Sequence, residues 1–228
     1  MKMENQIKSR KRVVQHGEVF TAEREVKAMC DLVADECMRI DSRFLEPACG
    51  DGNFLAEILT RKLNVVIKKY KRNSVDYEKN SLLALGSIYG VELLADNVQS
   101  CRKRLYTIWN KAYKRAVKKI EQKEAVCESA RYILEKNIVC GNALSLHQVD
   151  EGGQETRKPI IFSQWAFVTG PMMKREDYTF EQLLARSENK EFSYNQISFE
   201  DASDEKDDEG TLIKVYPPIH YWRLKEYE

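Results

Sequence analysis

No two of the six cysteines are spaced as Cys-x-x-Cys, and none stands with a histidine at zinc-like separation. A disulfide framework and a structural zinc are therefore both unexpected, and no metal site is predicted. Cys30, Cys37, Cys49, Cys101, Cys127 and Cys140 read instead as reduced, mostly buried thiols. No stretch approaches the roughly 20 apolar residues of a membrane span. The basic N-terminal stretch also lacks the apolar run of a secretory signal. These absences predict a cytoplasmic protein without membrane contact. Internal repeats are missing too. The 228 residues, 43% of them hydrophobic, suffice for one substantial core, so one domain with extensions is expected.

A net charge of +1 conceals an asymmetry, with bases crowded into the first two thirds and acids toward the end. Lys8, Arg10, Lys11 and Arg12 open the chain, and Lys68, Lys69, Lys71 and Arg72 follow. Between Arg102 and Lys119 lie Lys103, Arg104, Lys111, Lys114, Arg115 and Lys118. Two readings are open: a surface facing phosphates, or the solvated faces of ordinary lysine-rich helices. Residues 201–209 are acidic and poor in apolar side chains, which predicts a mobile loop.

Hydrophobic spacing alternates between strands and helices. Thr21 is placed as an N-cap, with Glu23 and Glu25 in the first turn and Val26, Met29, Leu32, Val33 and Cys37 at helical spacing. Residues 43–48 form a short strand ending at Pro47, Gly50 and Gly52 form a turn, and Phe54, Leu55, Ile58, Leu59 and Leu63 continue as a helix. A second strand, 87–91, ends in Glu92, and a long helix spans 93–120. Another helix over 123–134 precedes a third strand at 137–140, and residues 159–165 are expected as a fourth. This order predicts an α/β fold with a mostly parallel sheet. Farther on, 176–186 is placed as a short helix and 211–216 as a strand, halted by Pro217 and Pro218, which cannot continue a central strand.

The most specific feature is Leu45-Glu46-Pro47-Ala48-Cys49-Gly50-Asp51-Gly52-Asn53-Phe54 at the end of the first strand. Doubly wound sheets bind ligands beyond the carboxyl ends of their strands, where glycine lets the backbone approach closely. The segment resembles the first cofactor motif of the adenine-specific DNA methyltransferases of restriction-modification systems. That resemblance implies S-adenosylmethionine as cofactor, with Glu46 near the methionine amino group, Gly50 and Gly52 beneath the ligand, and Ala48, Asn53 and Phe54 in the same cofactor loop. His16-Gly17-Glu18-Val19-Phe20-Thr21 resembles the family's N-terminal motif, which implies that Phe20 and Thr21 fold over the methionine end. Ala22 stands where the family has proline. Gly90-Val91-Glu92-Leu93 resembles the next motif, in which Glu92 accepts hydrogen bonds from both ribose hydroxyls and Leu93 or Leu94 meets the adenine. Cys140-Gly141-Asn142-Ala143-Leu144 resembles a third, with Asn142 in place of aspartate and directed at the adenine with Ala143. A nicotinamide site fits less well, because Leu55 occupies the third glycine position of Gly-x-Gly-x-x-Gly and Glu92 comes too late.

The family's catalytic tetrapeptide, Asn or Asp followed by two prolines and an aromatic residue, is absent. At its expected place stand Gln164 and Trp165, an amide and an aromatic, as catalytic candidates. Val215-Tyr216-Pro217-Pro218-Ile219-His220 is a second, weaker candidate. The residues after Trp165 are too few for the rest of such a sheet and a target-recognition domain, so the Rossmann-like methyltransferase fold is expected to be incomplete on its C-terminal side. Its fourth strand would then lie near a sheet edge, covered by residues 211–216, a partner subunit or a second copy. The organisation expected is a basic arm and cofactor lid (1–21), a methyltransferase-like domain (22–170) and a C-terminal extension with an acidic loop (171–228). Three functions are weighed: a DNA adenine methyltransferase, a non-catalytic module that binds DNA or a partner subunit, and a methyltransferase for another substrate.

Overall fold

The computed structural model describes Arg12, residues 21–188 and residues 213–227. Lys8, Arg10, Lys11, the segment 16–20 with Phe20, and the acidic segment 201–209 lie outside the described residues.

Helices α1 (Glu23–Leu32) and α2 (Ala34–Cys37) lead into β1 (Phe44–Glu46). Two helices, α3 (Asn53–Tyr70) and α4 (Ser74–Gly86), separate β1 from β2 (Ile88–Glu92). Two more, α5 (Ala95–Ala116) and α6 (Glu124–Asn137), separate β2 from β3 (Ile138–Asn142). Strands β4 (His147–Val149) and β5 (Glu155–Pro159) follow as a hairpin. The first sheet has the order β1-β2-β3-β4-β5, parallel across β1, β2 and β3 and antiparallel from β3 onward. β1 ends the sheet, with β2 as its one neighbour among the described residues. The fold is thus mixed α/β, as the alternation predicted.

Successive residues of β2 point to opposite faces, which separates two apolar clusters. Ile88 faces the helices and joins Leu55, Leu59, Leu105, Ile133 and Ile138 in the main core. Tyr89 and Val91 face the other way, against Ile160, Phe162 and Phe180.

A three-stranded antiparallel sheet of β6 (Ile161–Thr169), β7 (Met172–Thr179) and β8 (Lys214–His220), with α7 (Phe180–Glu188) after β7, contributes to both clusters: Phe162 and Phe180 meet the second face, whereas Trp165 and Met173 join the main core, where β6 packs against α4 and α6. Three expectations are corrected here. The fourth strand at 159–165 is split at Ile160, whose N–H donates to Leu146 O at 2.8 Å. Pro159 ends β5, and the rest opens β6 in the other sheet. The helix at 176–186 begins only at Phe180, because Met173, Arg175 and Asp177 alternate inward as a strand. Pro217 and Pro218 lie within a strand after all: β8 is an edge strand, and the two prolines face the single Lys174 across a bulge. A smaller difference concerns α1, whose N-cap is Ala22 with no side-chain cap, so Thr21 does not cap it.

All six cysteines are free thiols. Among the described residues no helix is long and apolar enough to cross a membrane, and no cluster of His, Cys, Asp or Glu is placed to hold a metal ion.

Lys62 of α3 is fully buried. Its ammonium donates to Arg39 O and Ile40 O at 3.0 Å each, to Ser87 Oγ at 2.9 Å, and to Ser42 O, tying the turn before β1 to the start of β2. Burial pushes its pKa down from 10.5 to about 8. Between those values the unfolded chain holds a proton that the folded chain releases, so Lys62 makes stability rise with pH across that window. Urea denaturation at stepped pH should therefore show wild type gaining on Lys62→Met between about pH 8 and 10.5, by at most about 3 kcal/mol. A constant difference would contradict this coupling.

Candidate cofactor pocket

The carboxyl ends of β1, β2 and β3 open onto a cavity of about 560 Å³, within the range of small-molecule sites. Its first wall is the loop leaving β1. Cys49 N–H donates to Val91 O at 2.9 Å, which folds the loop back over β2, and Gly52 N–H donates to Cys49 O at 2.8 Å. Gly52 has φ +88° at the N-cap of α3, a conformation that disfavours a side chain. A Cβ added there would come within 2.6 Å of Cys101 Sγ, so the absent side chain lets the loop lie directly on α5. One at Gly90 would meet Cys49 Sγ at 2.9 Å.

Glu92 ends β2 and faces this loop. One carboxylate oxygen accepts from Gly50 N–H at 2.8 Å and the other from Leu94 N–H at 2.9 Å. The side chain is therefore fixed, while each oxygen keeps a lone pair for another donor. Glu46, at the end of β1, is raised above the ordinary carboxyl range, chiefly by burial, with the Ala48 backbone opposing. A half-buried carboxylate facing a cavity favours a cationic partner.

Further contacts brace the rim. Arg104 of α5 holds Asp51 through two bonds of 2.9 and 3.2 Å and also donates to Asn53. Asn53 in turn donates to Thr21 O at 3.2 Å, stitching the segment before α1 to the glycine loop. Arg12 clamps Asp96, in the first turn of α5, at 2.8 and 3.1 Å. On the far wall Asn142 donates to Glu155 at 2.8 Å and accepts from Leu144 N–H at 3.0 Å, so its amide is already partly engaged.

Of the residues expected at a cofactor site, Thr21, Glu46, Ala48, Gly50, Asn53, Phe54, Glu92, Leu93, Asn142 and Ala143 all line this one cavity. Gly52 lies beneath the loop rather than on the lining, and Phe20 is outside the described residues. Pro47, Cys49, Asp51, Leu94, Gly141 and Leu144 complete the wall from within or beside the same motifs. Asn97, only 1% exposed, was not foreseen. Its signal was modest: an amide in the first turn of the helix that follows Glu92.

The two catalytic candidates are elsewhere, which corrects that expectation. Trp165 is 6% exposed in the main core, and its indole donates to Asn137 Oδ1 at 3.3 Å. Its ring also lies against Gly86. Gly86 and Asn137 immediately precede β2 and β3, so Trp165 sits at the amino ends of the parallel strands, opposite the cavity. Gln164 is paired with Glu176 inside the second sheet. His220 stacks on Tyr221 at 4.9 Å and accepts from Trp222 N–H at 3.2 Å, a packing role.

Comparison with protein-family models, curated proteins and solved structures finds no match for this chain.

Proposed function

We propose that the cavity binds S-adenosylmethionine and that the chain is a Rossmann-like methyltransferase domain of the DNA adenine, restriction-modification type. One observation carries the reading: the Glu92 carboxylate at the end of β2 bonds to Gly50 in the glycine loop leaving β1. A sugar-gripping carboxylate and a loop that admits close ligand approach are thereby held 2.8 Å apart, at the carboxyl ends of adjacent parallel strands. The free lone pairs of Glu92 suit two ribose hydroxyls, and Leu93, Leu94 and Ala143 offer apolar surface to an adenine. Glu46 suits the ligand's ammonium. S-adenosylmethionine supplies a methyl group on a positively charged sulfur, which a nucleophilic amine accepts.

The burial of Trp165 favours a second reading, in which this chain holds the cofactor and does not itself supply the acceptor pocket. Two measurements separate the possibilities. Calorimetric titration with S-adenosylmethionine should show one site per chain; no heat and no thermal shift would end the cofactor reading. Labelled methyl transfer to mixed-sequence DNA then distinguishes an enzyme from a cofactor-holding module.

Glu46 gives the titration a pH signature. Its carboxyl, raised in the free cavity, must be ionised to pair with an ammonium, so binding should weaken as pH falls from neutral through its raised pKa. Glu46→Gln should bind about tenfold more weakly at neutral pH, the worth of one charge-assisted contact, and should lose this acid dependence. An unchanged pH profile in the variant would remove Glu46 from the ligand.

A further inference from the structure

The two helical hairpins of the first half project beyond the amino ends of the strands, away from the cavity. α5 has 22 residues, about 33 Å of helix, whereas β2 has five residues. The hairpin tips meet. Tyr77, early in α4, stacks on Tyr113, late in α5, with ring centroids 6.4 Å apart. Tyr113 OH donates to Glu78 at 2.8 Å and accepts from Lys123 N–H at 3.0 Å, joining the start of α4, the end of α5 and the start of α6. The turns 71–73 and 117–123 are thus side by side.

Each tip is cationic. Lys68, Lys69, Lys71 and Arg72 surround the first, and Lys114, Arg115, Lys118 and Lys119 the second; all are exposed. None of the eight forms an ion pair with a described residue, in a chain whose overall charge is only +1. The nearby acids are fewer: Glu124 is paired with Arg131 and the buried Glu78 with Lys123, which leaves Asp76 and Glu121 against the eight cations. Along α5 the charge continues upward. Lys103, Lys111, Lys114 and Arg115 fall within an arc of about 120°, on the side away from the buried Cys101, Leu105, Trp109 and Tyr113.

We infer that this end of the helical bundle is a docking surface for the phosphodiester backbone of duplex nucleic acid, distinct from the cavity at the opposite end. From Lys103 to Arg115 the row extends about 18 Å along α5, the rise of about five base pairs. Lysines predominate, and they meet phosphates as point charges without reading bases, so the contact is independent of sequence. Helices α3 and α5 carry Lys68, Lys69, Lys114 and Arg115, the turns carry the other four, and Ile120 is the single strongly exposed apolar side chain in the second turn, too little for insertion into a lipid surface. Lys111 lies 17 residues beyond Leu94 of the cavity wall, about 25 Å along the helix axis, so a duplex held here does not offer that same stretch to the cavity. The inference needs nothing from the cofactor reading.

The test is fluorescence anisotropy of the full chain with a labelled mixed-sequence duplex over a salt series. Wild type should bind, with affinity falling steeply as salt rises. The exposed quadruple variant Lys114→Gln/Arg115→Gln/Lys118→Gln/Lys119→Gln should lose at least about tenfold in affinity, and its log–log salt slope should drop by about three. A control, Arg157→Gln/Lys158→Gln on β5, should change affinity by less than about twofold. Unchanged circular-dichroism melting of both variants establishes that they fold. The inference is overturned if wild type fails to bind duplex, if the control loses as much as the quadruple variant, or if phosphatidylglycerol vesicles bind wild type as tightly as DNA does. S-adenosylmethionine titration of the same proteins keeps the two sites apart: duplex binding without cofactor binding would remove only the functional reading above.

Discussion

Replacing Glu92 with alanine should weaken S-adenosylmethionine binding by about 100-fold or more, near the loss of two charge-assisted hydrogen bonds. The size of the effect comes from a double role. The carboxylate is the candidate acceptor for two sugar hydroxyls, and it also anchors Gly50 and Leu94 through their backbone N–H groups. Alanine removes the acceptors and releases the loop that shapes the cavity. Glu92→Gln separates the two roles: its amide oxygen can still accept one N–H, so the loop stays partly anchored while a charged acceptor is lost. Calorimetry should therefore rank wild type above Glu92→Gln and Glu92→Ala last. Equal affinities for all three would mean that the sugar is not held at the end of β2.

The second large effect is on stability. Arg175→Met should lower the free energy of unfolding by about 3–5 kcal/mol, a sizeable fraction of the whole for a domain of this kind. Arg175 is 5% exposed, yet it donates to five acceptor atoms on four residues. It donates to both oxygens of Asp177 at 2.8 and 2.7 Å, to Ser163 Oγ at 3.0 Å, to Tyr132 OH at 2.7 Å and to Tyr227 O at 3.2 Å. Its guanidinium also lies 4.2 Å from the Tyr216 ring centroid. Methionine would fill the space but leave Asp177 buried without its counter-charge. Removing that carboxylate as well, in Arg175→Met/Asp177→Leu, should recover much of the loss, because a buried pair replaced as a unit by apolar side chains is often tolerated. Urea denaturation of the single and double variants measures both values. A double variant no better than the single one would place the damage in the contacts to Tyr132 and Tyr227.

That same pair explains why the second sheet was hard to read. A strand is recognised by apolar residues alternating with polar ones, and β7 hides Arg175 and Asp177 among its inward positions. The pattern that would announce a strand is inverted there, so a helix was expected. α4 escaped notice for another reason: Tyr77, Glu78, Ser81, Leu82, Ala84 and Leu85 are all buried, which leaves no polar stripe to set a helical period. Its start is capped by Asn73, which accepts from the Val75 and Asp76 N–H groups. The first three strands and the glycine loop were legible because short apolar runs ending in Pro47, Glu92 and Gly141 punctuate the chain. The residues that line the cavity were expected from that order taken together with the family resemblance. Gln164 and Trp165 lie away from the cavity because, after the β4–β5 hairpin, the chain leaves the first sheet and β6 opens a second one that packs against α4 and α6.

The position of β1 at the end of the sheet has a mechanical corollary. β2, with Glu92, is clasped by strands on both flanks and buried along its whole length, so it forms an unyielding anvil. β1, with Glu46, is three residues long and has a single neighbour among the described residues, so it is expected to act more like a leaf spring. A guest pressed between them meets stiffness on one flank and compliance on the other, and any adjustment to its shape falls to the Glu46 side.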